Sequence, residues 1–231
     1  MNRTLNVIRM QLVNRQTYVW VPVIVLAGSF VITLAIYGII ASAGVEGPMY
    51  GGGAQAPLWY FAVVGAQALT MTFPFSQAMS VTRREFTIGT LLTAGLTSAL
   101  LALIFVVGGL IEQATDGWGM NGYFFYIPWV WDAGPAAAGL FFFALALLFF
   151  IVGFWGATIF KRFGTAVLTT VVLAIALLLV GLLWLIGRVD GWADVGAWLA
   201  ASGSLGLTLW GLLLIAVLAA TSYLTLRRAV P

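Results

Sequence analysis

Residues 58–79 contain no Asp, Glu, Lys or Arg, and neither do residues 86–111. Uncharged apolar runs of this length constrain the fold more than any other feature of the chain. About 20 such residues cross the hydrocarbon core of a bilayer as a helix, the form in which a single segment satisfies its own backbone polar groups. Six runs are legible, at roughly 18–40, 58–80, 89–111, 136–160, 165–187 and 205–226. The expected fold is therefore an all-α integral membrane protein with six transmembrane helices. A closed barrel would need short segments of alternating polarity, and these runs are continuous. Composition agrees: 62% of the 231 residues are hydrophobic and 7% are charged, against roughly 25% charged in a soluble domain.

The few charges sort by the gaps between runs. One side collects Arg3, Arg9, Arg15, Arg83, Arg84, Lys161, Arg162, Arg227 and Arg228, with Glu85 as its one acid. The other collects Glu46, Glu112, Asp116, Asp132, Asp190 and Asp194, with Arg188 as its one base. The positive-inside rule then places both termini in the cytoplasm and the chain in the plasma membrane as a multi-pass protein. Ala41-Ser42-Ala43 has the small residues of a signal-peptide cleavage site, but the preceding run exceeds the ~7–15 residues of a signal core.

Residues 1–16 form a separate segment, with 17–231 as the transmembrane domain. Met1, Leu5, Ile8 and Leu12 fall on one helical stripe, with Arg3, Asn6, Gln11 and Asn14 opposite. This pattern predicts an amphipathic helix in the cytoplasmic interface. Outside, residues 41–57 read as a Gly/Pro-rich loop. Residues 118–131 are dense in Trp, Tyr and Phe, consistent with an interfacial belt or with a lid over an outer pathway.

Missing chemistry narrows the function. The chain has no cysteine and no histidine, so thiolate or histidine metal sites and histidine acid–base catalysis are excluded. No ionisable residue lies near the middle of a run, which argues against a proton-driven carrier. No G-x-x-x-x-G-K-[ST] phosphate loop is present. An energised transporter of this kind would take its energy from a partner at the cytoplasmic face.

Thr82-Arg-Arg-Glu-Phe-Thr-Ile-Gly89 is the most polar connection on that face. Ser80 or Thr82 can cap a short helix there, with Glu85 placed for the reciprocal cap. Such a corner is either a handle for a soluble partner or a plain topology determinant. The segment Val81-Thr-Arg-Arg-Glu-Phe-Thr-Ile-Gly-Thr-Leu-Leu92 is similar to the coupling-helix segment of the membrane subunit of type-2 ATP-binding-cassette (ABC) exporters. The layout resembles that family along the whole chain: an interfacial helix before span one, a charged corner between spans two and three, a shorter turn between four and five, and short outer helices before span six. The resemblance implies ATPase-subunit docking at Arg83, Arg84, Glu85 and Phe86, and secondarily at Arg3 and Arg9. It also implies a second permease subunit as partner, with spans one, two and five around a central cavity. ATP and Mg would belong to the ATPase subunits, with no cofactor, metal or catalytic residue on this chain and no nucleic-acid partner.

Polar stripes mark a candidate pathway. Gln67, Thr70, Pro74 and Gln77 share one face of span two; Ser29, Thr33 and Tyr37 share a face of span one. Each stripe is either pathway lining or helix–helix glue. Gly153 and Ala157 in span four, and Ala216 and Ala220 in span six, permit close helix approach. The reading is a permease subunit of an ATP-driven exporter for a hydrophobic or amphipathic compound. Its rivals are a non-transport immunity or assembly factor and a stand-alone carrier or channel.

Overall fold

The computed structural model describes residues 3–45 and 47–227. Within these the chain is all-α apart from two short strands. Its helices are Arg3–Val13 (α1), Val21–Ser42 (α2), Ala56–Gln67 (α3), Phe73–Ala78 (α4), Arg83–Ala114 (α5), Pro128–Trp131 (α6), Pro135–Arg188 (α7) and Trp192–Arg227 (α8). Strands Met49–Tyr50 (β1) and Gly122–Tyr123 (β2) pair in parallel, joining the loop after α2 to the loop after α5. Five helical stretches are long and apolar enough to cross a membrane: Gln16–Ser42, Gly52–Ala78, Arg83–Ala114, Pro135–Arg188 and Trp192–Arg227.

The second stretch widens into a π turn at Ala68–Thr72 between α3 and α4. The cause lies in the sequence. Pro74 has no N–H for the Thr70 carbonyl, so the ladder loosens in the turn before it.

The 54 residues of α7 would reach about 80 Å as one straight helix, but Gly164 interrupts them with φ 84° and ψ 178°. Only glycine adopts that conformation readily. The chain folds back there: a Cβ on Gly156 would lie 3.9 Å from Leu168 Cδ1, although twelve residues of straight helix would separate them by about 18 Å. The two arms, 135–163 and 165–188, carry the fourth and fifth apolar runs. A second break, at Gly203 (φ 58°), divides α8, so residues 192–202 form an arm of their own.

The first arm of α7 is the centre of the core. Phe142, Phe150, Ile151 and Phe154 are buried on it, and α7 packs against α3, α5 and α8. Gly153 lies against the Ala62 carbonyl and Gly65 against the Phe150 carbonyl, so the α3 and α7 backbones touch. The second arm is the reverse: no residue from 165 to 188 is buried.

The expectation for α1 needs correction. It packs along α5 through Val7 and Gln11, both 1% exposed, while Leu5 of the expected apolar stripe is 48% exposed. Gln11, placed on the polar side by the sequence pattern, instead donates from Nε2 to Thr90 Oγ1 at 2.8 Å. The side that the pattern marks as polar is thus the one that packs on a protein neighbour.

Candidate functional site

The charged corner is built by local capping. Thr82 is extended (φ −70°, ψ 151°), and its Oγ1 accepts from the Glu85 N–H at 3.2 Å. Glu85 Oε2 accepts from the Thr82 N–H at 3.0 Å and from its hydroxyl at 2.7 Å. The capping box expected from the sequence is present. The separate short helix is not: the corner is the first turns of α5, continuous with the spanning helix.

Three other elements converge on it. Gly89 lies against Val7 of α1, leaving no room for a side chain. Arg83 Nη1 donates to the Leu226 and Arg227 carbonyls at 3.1 and 2.7 Å, closing the C-terminal end of α8. Phe73 of α4 meets Phe86 edge-on, with ring centroids 5.1 Å apart.

This geometry corrects the expected roles. Phe86 is 0% exposed, so it anchors the corner internally and presents no ring to a partner. Arg83 is half-buried and committed to α8 carbonyls. Arg84 remains exposed and borders an apolar groove between α5 and α8 with Ile88, Leu91 and Tyr223. Glu85 is half-buried within the cap. Arg9 is exposed and borders a different cleft, of about 930 Å³, between α1 and the start of α2, with Arg15 and Trp20. The Arg3 side chain lies outside what is described.

The two pathway stripes do not meet. Ser29 is half-buried and donates to the Leu26 carbonyl; Thr33 and Tyr37 are buried. Thr33 donates to the Ser29 carbonyl and Tyr37 to the Tyr123 carbonyl at 3.1 Å. The α2 stripe is therefore turned toward residues 51–53 and 122–123. On span two, Gln67 and Gln77 are half-buried, and Thr70 and Pro74 are exposed. Thr70 donates to the Ala66 carbonyl and Gln77 to the Val81 carbonyl.

The residue that sequence reasoning missed is Glu112. It is 0% exposed in the last turn of α5. Its Oε1 accepts from Trp118 Nε1 and the Phe124 N–H, both at 2.9 Å. Its Oε2 accepts from the Phe125 and Tyr126 N–H groups, both at 2.8 Å. Four donors hold one carboxylate, and through it residues 117–126 fold over the mouth of the bundle. A left-handed turn at Trp118 and Gly119 makes the reversal possible. Phe30 of α2 packs on Trp118, Phe124 and Phe125 with centroids 5.2–5.5 Å apart. The aromatic segment is thus a packed cap. Within it desolvation, aided by the Asp116 carboxylate, pushes the Tyr123 phenol above its ordinary pKa. The signal in the sequence was one acid ending a long uncharged run just before an aromatic cluster. Comparison with family models, with curated proteins and with solved structures found no match for this chain.

Proposed function

We propose that this chain is the membrane-spanning permease subunit of an ATP-driven exporter of the type-2 ABC kind. It crosses the plasma membrane six times, with both termini cytoplasmic. The observation that carries the reading is the convergence at residues 82–90. One rigid corner is tied to α1 through Gly89 and Thr90, to α4 through Phe86 and to the end of α8 through Arg83. A load applied there reaches four helices without crossing a flexible loop. That is the mechanical property a soluble motor needs from its membrane partner. Arg84 and Glu85 form the contact surface offered to the ATPase subunits in this reading, while Arg83 and Phe86 transmit.

A second permease subunit is part of the proposal. Two surfaces left uncovered within the chain support it. The arm 165–188 buries nothing within its own chain, and the amides and hydroxyl of Gln67, Thr70 and Gln77 lie at or near the surface of a spanning helix. Polar groups facing lipid are unfavourable, so such a face belongs against protein or a wet cavity. With few hydroxyls and amides and no charge along it, a cavity lined by these residues suits an amphipathic cargo.

The test is purification of the epitope-tagged full chain from its native membranes after mild cross-linking, with ATP hydrolysis measured on the product. The expected product contains an ATPase subunit and hydrolyses ATP. The charge reversal Arg84→Glu, at the exposed position of the corner, should release that subunit without lowering the yield of membrane-inserted chain. A well-folded wild-type preparation with no associated ATPase would refute the assignment.

A further inference from the structure

At one end of the bundle a cleft of about 420 Å³ opens between the 160–164 turn and the last turns of α8, lined by Arg162, Leu224, Thr225 and Arg227. Two arginines that are 65 positions apart in the sequence face one space. Like charges brought together destabilise a fold unless something neutralises them. Three observations exclude the ordinary explanations. The carbonyls at the end of α8, which attract cations, already have Arg83 as their donor. No carboxylate among the described residues lines the cleft. Neither guanidinium donates to a protein acceptor among the described residues. Instead each lies by a ring: Arg162 is 4.6 Å from the Phe163 centroid and Arg227 is 5.9 Å from that of Tyr223. Stacking leaves the N–H edges of a guanidinium free for an oxyanion.

The wall between the charges is apolar. Leu224 is 57% exposed beside the cleft, so the site presents two cations and a greasy surface together. Aromatic rings flanking basic residues at helix ends mark the headgroup level of a bilayer. A phosphodiester carrying hydrocarbon tails matches both parts; a carboxylate-rich protein surface matches only the charge.

We propose that this cleft binds the phosphate headgroup of an anionic phospholipid from the leaflet on the arginine-rich side of the membrane. Arg162 and Arg227 hold the phosphate, and Leu224 lies against the upper acyl chain. Occupancy ties the turn between the two arms of α7 to the end of α8, two segments with no hydrogen bond between their side chains among the described residues.

The test uses the purified full chain in nanodiscs of equimolar phosphatidylglycerol and phosphatidylcholine, followed by detergent release and native mass spectrometry of the retained lipid. Wild type is expected to retain phosphatidylglycerol selectively. A basic residue at an anionic surface is worth about fivefold in affinity, so Arg162→Gln and Arg227→Gln should each lower that preference about fivefold, and the pair on the order of 20-fold. Arg162→Lys and Arg227→Lys, which keep the charge, should retain most of it and show that loss is not misfolding. Arg188→Gln, at the far end of α7, should change nothing. Equal retention of both lipids by wild type, or full selectivity in the double Gln variant, would overturn the proposal. So would loss of bound lipid to 10 mM inorganic phosphate, which would mark a free-phosphate site, or a double variant that keeps its lipid but loses a protein partner.

Discussion

The Glu112 carboxylate offers a perturbation whose size follows from its geometry. Glu112→Gln preserves shape and volume but replaces one acceptor oxygen with an NH2 group. Two of the four donors that now converge on the carboxylate, at 2.8–2.9 Å, would then face another donor. Each buried N–H left unpaired costs about 1–3 kcal/mol, and the two surviving bonds lose the strengthening a charged acceptor gives. The cap should open about 2–5 kcal/mol more easily, a factor of roughly 30 to several thousand in its local opening equilibrium. Hydrogen exchange of the purified chain, read on the peptide covering Phe124, Phe125 and Tyr126, measures this directly. These three amides should lose protection by at least about 30-fold, while amides in the middle of α5 remain as in wild type. Exchange at 124–126 unchanged within about twofold would show that packing of Phe30 against the cap suffices, and that the clamp is incidental.

Two other substitutions separate internal structure from surface contacts. Gly153→Leu drives a side chain into the Ala62 carbonyl, and over-packing of this kind destabilises by about 1–3 kcal/mol or more; a lower thermal midpoint or aggregated protein on size exclusion is expected, whereas Gly211→Leu, with nothing within 4 Å of its Cβ, should keep the wild-type midpoint. Phe86→Ala empties a fully buried site against Phe73, with an expected loss of about 3–5 kcal/mol; reduced yield and heat stability should appear before any selective loss of partner binding, and a normal midpoint with a lost partner would restore the surface role that the geometry denies this ring.

What was legible in the sequence follows the range of the interactions involved. The Thr82–Glu85 cap depends on residues three apart, and pattern alone located it. The apolar runs and the Gly164 turn were equally local. Phe86 follows three charged residues, Arg83, Arg84 and Glu85, which mark the segment as a surface. Yet it opens a stripe with Thr90, Thr93, Thr97, Leu101 and Phe105 at helical spacing, all of them buried, and that stripe was available to be read. Gln11 shows a different limit: an amphipathic pattern says which face differs, and a polar face can still be the buried one when a neighbouring helix supplies Thr90. Gly153 was recognised as a close-approach residue, but its counterpart Gly65 was not, because the contact between them joins helices 88 positions apart. Glu112 was counted only as a marker of sidedness, since nothing in a single sequence shows four donors arriving at one carboxylate.

The two ends of α5 also differ in when they are complete. The donors that fasten its Glu112 end lie 6–14 residues further on, so that loop closes as soon as residue 126 has emerged, with little entropic penalty. At the other end the contacts with α1 and α4 involve earlier residues, and only the Arg83 bonds wait for α8, because their carbonyls are 143 and 144 residues away. Translation therefore delivers α5 held at both ends, and the Arg83 bond registers that the last helix has arrived.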